Sequence, residues 1–562
     1  VRSRLRRLEG LVKRYRLDGR LPPSVFRLVR RVSGLRFHRA CDRLLALARP
    51  VVGGPKTGAE GPICISRNRR LATCGHLEQS FADLAHDFAL PVIQVLEDAG
   101  DRPFVVDRAG DALVVGIPLA QRLAALDALV TGLSGSGWCL TWHDGCRSGT
   151  VTLDAARRHR VVRRARQWDL FRPHTWGDRA IGGEQAVQVT FWDIGTSGQV
   201  ELVGTRGHER FDRRSSATTE IIGGHSYPSR SAFPVGHDLE TFAEPVDVVY
   251  TWVDGGDPAW QERFVEWSER LGRDVGEAAL DPARYRSRDE LRYSLRSLHY
   301  FCGWVRNIYV VTAGQVPEWL TETDGIRIVD HSEILPADAL PTFNSHSIES
   351  ALHRIEGLAE HFVYFNDDMF VGRPLRPELF FTPNGLTRLF QSGARVPGAE
   401  DAETLAVDTA AIRGRELLAS RFGRVVADKP LHSPYPLRKS VMYELEQEFP
   451  DIVERTAHSR FRSPSDLSIA ASFAQHYGFA TGRGVLGEID TEYVHVESGR
   501  LEWHLDRIRL GRDLDTFCIN ETEQEAADAE RRERKINEFF EEYLPLAAPW
   551  ESDTRSQQSH ST

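Results

Sequence analysis

The sequence predicts an α/β protein whose C-terminal half is a mostly parallel sheet with helices on both faces, preceded by a smaller α+β module. Three observations predict it. From about Pro245 onward, short apolar runs alternate with helical patterns, which is the signature of a parallel sheet with crossover helices. Two of those runs end in acidic turns, at 254–257 and 366–368. The 562 residues exceed one ordinary core, at roughly 100–200 residues per domain, so more than one domain is expected.

The first 50 residues carry fifteen Lys/Arg against three acids, Glu9, Asp18 and Asp42. Leu5, Leu8 and Val12 share one helical face, and Pro22-Pro23 divides the stretch. A basic amphipathic segment of this kind suits peripheral contact with an anionic membrane, or else a solvated docking arm. Residues 51–213 read as an accessory α+β module rich in β-structure. Phe104–Val106 and Ala112–Ile117 read as strands, as do 187–192 and 200–203. Leu119–Leu133 reads as a helix with Leu123, Leu126 and Leu129 on one face. The Ser-, Gly- and Pro-rich residues 214–244 read as a linker, and 552–562 as a disordered tail.

In the second half, 246–253 is a buried strand that runs into Asp254-Gly255-Gly256-Asp257. Asp289–Cys302 is a helix with Leu291, Leu295 and Leu298 on one face. Strands follow at 305–312, 326–329 and 361–365. In such sheets ligands bind beyond the carboxyl ends of the strands, where both acidic turns fall.

Composition excludes some classes. A net charge of −9 argues against a general nucleic-acid binder, and 41% hydrophobic with 27% charged residues is ordinary for a globular protein. Seven scattered cysteines with no CxxC suggest reduced thiols and a cytoplasmic setting. No window approaches the roughly 18–20 apolar residues of a membrane span.

Five segments carry candidate chemistry. Phe362–Phe370 places Asp367 and Asp368 at a strand end, where paired carboxylates repel unless a cation compensates. Mg²⁺ or Mn²⁺ held with substrate phosphates is the natural partner. The competing reading is an Asx-turn or helix cap. The glycines at 255–256 allow close backbone approach to a ligand, or simply a tight turn. Leu340–Glu349 reads as a binding loop before a helix starting near Ser347, or as a loop whose Asn344 or Ser345 only caps that helix. His432, on the proline-stiffened 429–436 stretch, suits proton transfer or a structural role. Arg462 precedes a helix capped by Ser465, a good phosphate site, with a core salt bridge as the alternative.

These segments in this order resemble the Stealth family, which includes bacterial capsule and exopolysaccharide phosphotransferases and the eukaryotic N-acetylglucosamine-1-phosphotransferase. The resemblance rests on DVVYTWVDGGD (247–257) and on RDELRYSLRSL (288–298) through LPTFNSHSIES (340–350) to VYFNDDMFVG (363–372). It continues through KPLHSPYP (429–436) and SRFRSPSDLSIAASFAQHYG (459–478) to CINETEQ (518–524) and FFEEYLPLAAPWE (539–551). It covers about 245–551, the expected catalytic domain, and is similar to actinobacterial exopolysaccharide members with long N-terminal extensions.

The resemblance implies a Rossmann-like or GT-A-like core. It implies catalytic roles for Asp368, His432 and Arg462, and metal binding at Asp367 and Asp368. It implies nucleotide-sugar binding by Thr251, Trp252, Asp254, Gly255, Arg292, Asn344, His346, Asn366 and Asn520. Asn520-Glu521-Thr522 departs from the Asn-Asp of many members, which leaves Glu521 without a matched role. The implied reaction moves a sugar 1-phosphate from a nucleotide-sugar to a glycan hydroxyl. Within it, His432 as base and Asp368 as metal ligand can exchange for Asp368 as base and His432 as phosphate ligand. The rival class is a metal-dependent glycosyltransferase releasing nucleoside diphosphate.

Overall fold

The structure, a computed structural model, describes residues 51–552 apart from 55–58, 60, 67–68, 101, 110, 146, 178, 195–198, 203–209, 213–215, 234, 236–238, 273–274, 276–278, 281–284, 286, 399–405 and 521–528. The basic segment 1–50 and the tail past Ser552 lie outside these. Ser552 itself is docked, its N–H donating to Trp319 O at 2.8 Å. The chain divides into two compact units at Asp238/Leu239.

The first unit contains two mixed sheets. The larger centres on Ala112–Pro118 and Val187–Ile194, which pair in parallel with Gln188 opposite Val114. Helix Phe81–Asp98 is capped by Ser80, whose Oγ accepts from Asp83 N. It buries Leu84, Phe88, Val92 and Leu96. Residues 91–96, apolar at five of six positions, form the second half of this helix, with Val92, Ile93 and Leu96 buried. Leu126 and Leu129 are buried in helix Arg122–Gly132, whereas Leu123, expected on their face, is 43% exposed.

The expected linker is in part sheet. Ala217–Ile222 and His225–Arg230 form a hairpin about Gly223 and Gly224, both at positive φ, the conformation that two-residue hairpin turns require. Ser229 pairs with Val105, and its Oγ donates to Val105 O at 2.9 Å. Tyr227 is fully buried against His86. Small polar residues tolerate loops, but here paired backbone and one buried aromatic ring outweigh composition.

In the second unit the elements that position the site are, in order, β1 (Val246–Thr251), α1 (Pro258–Leu271), α2 (Glu290–Phe301), β2 (Val305–Thr312), β3 (Ile326–Asp330), α3 (Ser345–Glu349), β4 (His361–Asn366), β5 (Met369–Val371), β6 (Tyr435–Arg438), β7 (Thr491–His495) and β8 (Thr516–Asn520). The main sheet has the order β3-β2-β1-β4-β6, parallel except for β6. Strands β1 and β4 are buried nearly throughout, which explains their continuous apolar runs. Pro436 is tolerated because β6 is the sheet edge. A smaller sheet, β5-β8-β7, grows from the same chain: β5 follows β4 after a two-residue turn and pairs with β8.

Helix α2 has the expected apolar face, with Leu291, Leu295 and Leu298 buried. It also buries Ser294, which bonds to Tyr250 Oη and Met369 O, and Ser297, whose Oγ accepts from Val371 N at 2.9 Å. These serines fix β5, and with it the acidic turn before it.

At the opposite end of the sheet, Asp247 is fully buried. Its carboxylate accepts from Arg306 Nε (2.9 Å) and Nη2 (2.5 Å), Asn307 N (3.1 Å) and Ala359 N (2.7 Å). Removing it takes the acceptor from the backbone N–H groups of Asn307 and Ala359, while the partly exposed Arg306 keeps Gly357 O. Asp247→Ala is therefore expected to destabilise the fold by about 2 kcal/mol, the cost of orphaned buried donors. Urea unfolding followed by circular dichroism checks this, and a loss below about 1 kcal/mol would show that the cluster does not hold the sheet.

Candidate active site

Chain direction diverges between β1 and β4: from β1 the sheet continues through β2 to β3 on one side, while β4 lies on the other. A crevice opens at such a switch point, outside the carboxyl ends of the strands. Thr251 and Asn366, the last residues of β1 and β4, are register partners, so the two acidic turns emerge side by side.

Asp368 is the hub. Asn520 Nδ2 donates to its Oδ2 at 2.7 Å, Cys518 Sγ donates to the same oxygen at 3.1 Å, and His432 Nε2 lies 3.6 Å away. The other oxygen, Oδ1, is buried with no hydrogen-bond partner among the described residues, as is His432 Nε2. Burial raises the Asp368 carboxyl, but the His432 imidazole with Asn520 and Cys518 outweighs it and holds the group below the usual range. Asp367 is the opposite case: burial first, then the charges of Asp368 and Glu290, push it well up. Glu290, at the start of α2, is also raised, chiefly by burial. The three carboxyls feel one another's charge, and Asp368 keeps one oxygen without a partner among the described residues.

His432 is held from its other side, with Nδ1 3.1 Å from Tyr435 Oη. Its ring also meets Tyr493 edge-on, centroids 5.4 Å apart. Tyr435 and Tyr493 stay protonated because burial drives both hydroxyls upward.

Arg462 sits on a loop built by Asn344. Asn344 Nδ2 donates to Ser459 O (2.9 Å), Phe461 O (3.3 Å) and Asp466 Oδ2 (2.8 Å), and its Oδ1 accepts from His346 N. Arg462 Nη2 then donates to Ser345 Oγ at 2.7 Å. Nearby, Glu349 is buried. Its carboxyl is raised by desolvation against the opposing charges of His346, Arg462 and His432.

Several expectations need correction. Asn344 and His346 are 0% and 2% exposed; the Asn344 amide braces the Arg462 loop, and His346 Nδ1 stands 3.7 Å from Asp466 Oδ2. Asn344 caps α3, the alternative that the residues had left open. Ser465 caps nothing: the helical segment starts at Ile469 as a π-turn after Ser468, so Arg462 is not beside a helix start. Arg292 donates to Glu551 Oε2 at 2.5 Å, in a cluster with Arg296 that pins the C-terminal segment. Asp254 forms a turn, its Oδ1 accepting from Gly256 N at 2.8 Å, and Gln315 brackets its backbone. Gly255 is required by close approach, since a Cβ there would stand 2.5 Å from Tyr285 O. Thr251 bonds Tyr364 Oη at 3.0 Å, and Trp252 N donates to Val311 O at 3.1 Å. Sequence reasoning did not single out Cys518, Glu290, Glu349 or Tyr435. Each stood inside a quoted motif, but none is distinctive as a residue type at its own position.

Family models match the second unit in four blocks: Stealth protein conserved region 1 at 244–272, region 2 at 284–389, region 3 at 431–479 and region 4 at 506–561. Among curated relatives, an exopolysaccharide phosphotransferase of Streptomyces coelicolor is 46% identical over 367 residues, 64% of this chain and 66% of the relative. A second from that organism is 39% identical over 429 residues, 73% of this chain and 71% of the relative. The exopolysaccharide phosphotransferase CpsY of Mycobacterium tuberculosis is 40% identical over 340 residues, 59% of this chain and 63% of the relative. The chain thus spans about two thirds of the length of these relatives.

Proposed function

The chain belongs to the Stealth family, and on that premise we propose that it is an exopolysaccharide phosphotransferase moving a sugar 1-phosphate from a nucleotide-sugar onto a glycan hydroxyl, with release of a nucleoside monophosphate. The observation that carries this reading is the Asp368 hub at the switch point, whose Oδ1 lacks a partner among the described residues and whose Oδ2 lies 3.6 Å from the equally unpartnered His432 Nε2.

In the proposed step a bond forms between the acceptor oxygen and the sugar-bearing phosphorus. The bond from that phosphorus to the bridging oxygen breaks, and the nucleoside monophosphate leaves. Such transfer needs alignment and charge neutralisation more than covalent help. His432 Nε2 takes the acceptor proton. For that, Nδ1–H must donate to Tyr435 Oη, which leaves the Nε2 lone pair turned toward Asp368. Asp368 then stabilises the imidazolium. Arg462 binds the transferring phosphoryl oxygens. Asp367 and Asp368 would hold Mg²⁺ or Mn²⁺, which when bound neutralises diphosphate charge.

The test is incubation with a panel of UDP-sugars, a glycan acceptor and Mg²⁺, with the released nucleotide identified. UMP is expected. UDP without UMP would move the enzyme to the glycosyltransferases.

No helix among the described residues is long and apolar enough to cross a membrane. Residues 1–50 offer another route to a bilayer, since each exposed Lys/Arg near an anionic surface contributes on the order of 1 kcal/mol. Deleting them is expected to abolish binding to anionic liposomes while sparing activity on soluble acceptors. Equal liposome binding by the truncated protein would end that reading.

A further inference from the structure

Cys518 takes no part in the transfer step, yet its sulfur lies against the catalytic carboxylate. It is 1% exposed, and β8 brings it opposite Met369, next to the acidic turn. Asp368, His432 and Cys518 each present one ligand atom, all within 4.8 Å of one another. Two of the separations are 3.1 Å (Sγ to Oδ2) and 3.6 Å (Nε2 to Oδ2). A tetrahedral zinc site with bonds of 2.0–2.3 Å places neighbouring ligand atoms about 3.3–3.6 Å apart. Little rearrangement separates the present arrangement from such a site.

Two further features point the same way. Asp368 Oδ1 and His432 Nε2 are buried without hydrogen-bond partners among the described residues, so the cluster has unmet bonding capacity. His432 is also oriented from behind by Tyr435 Oη, as metal-ligating imidazoles commonly are, and Asn520 Nδ2 holds the Asp368 carboxylate through Oδ2. The donor set is one oxygen, one nitrogen and one sulfur. Mg²⁺ takes oxygen, whereas thiolate and imidazole select Zn²⁺.

The geometry points to a Zn²⁺ site made of Asp368, His432 and Cys518, which blocks transfer when filled because it takes the carboxylate and imidazole that the reaction uses. On binding, the Cys518 thiol proton leaves to solvent as the Zn–S bond forms, and His432 ligates through the Nε2 lone pair. The fourth position stays open to water, as in a site with three protein ligands. The binding stands on geometry alone. The blockade rests on the phosphotransferase reading.

The full chain, stripped with EDTA, is titrated with Co²⁺ as a spectroscopic probe and with Zn²⁺ by calorimetry, in millimolar Mg²⁺. Wild type is expected to develop a near-ultraviolet thiolate-to-cobalt charge-transfer band that one equivalent of Zn²⁺ removes. Cys518→Ser should lose the band and weaken Zn²⁺ binding at least ~10-fold, since loss of even an outer-shell partner costs that much. If Cys518→Ser does not fold by circular dichroism, His432→Gln carries the same affinity test. No band in wild type, or undiminished Zn²⁺ affinity in the variants, overturns the site. Micromolar Zn²⁺ is expected to suppress UMP release at least tenfold, and unchanged release with the site filled overturns the blockade. No UMP in Mg²⁺ alone would instead count against the phosphotransferase reading, with the cobalt band still deciding the site.

Discussion

Arg462→Ala should lower kcat/KM by roughly 10³–10⁵, because a phosphoryl-binding arginine stabilises charge that peaks in the transition state. The fold should survive. Arg462 is half-buried, and among the described residues its guanidinium donates to Ser345 Oγ. The loop around it is held by Asn344 and Asp466, independently of the arginine. Lysine in its place should recover only part of the rate, since an ammonium lacks the planar fork. The measurement is steady-state UMP release alongside melting temperature. A variant that melts like wild type and keeps a tenth or more of the rate would remove Arg462 from the reaction.

Asp368→Asn should cost on the order of 10³–10⁴ in kcat, the scale seen when a carboxylate that supports a catalytic imidazole becomes an amide. The substitution is nearly isosteric. The amide oxygen can keep the bonds from Asn520 and Cys518, with its NH₂ in the place of Oδ1, which has no partner to lose. What disappears is the charge, and with it both the support of His432 and a hard ligand for Mg²⁺. If Asp368 and His432 act as one unit, His432→Ala should lose a similar factor, and the double variant little more than either alone. Additive losses would show that the two work in separate steps. A response to Mg²⁺ unchanged in Asp368→Asn would take the metal away from this residue.

The sequence by itself determined the architecture of the second unit. Short continuous apolar runs rich in β-branched and aromatic residues, such as 246–251 and 361–366, suit buried strands, and the intervening amphipathic pattern at 290–301 needs one face covered. Local periodicity carries that information. It also marked the strand-end acids, because a charge after a buried run has few places to go. Where local signals compete, they misled: 217–230 is polar enough for a linker until its strand partners are known.

Only the tertiary structure decided which polar residues face chemistry and which face the protein. Asn344, His346 and Arg292 stand in the same motifs as Asp368 and Arg462. Partners far along the chain meet them: Asn344 is buried with its amide on Ser459 and Asp466, His346 is buried 3.7 Å from Asp466, and the half-buried Arg292 pairs with Glu551. Conversely, Cys518 and Asn520 reach Asp368 across about 150 residues because β8 pairs with β5, the strand that the acidic turn begins. Strand order is a global property, fixed when distant segments exchange backbone hydrogen bonds, and no window of sequence contains it.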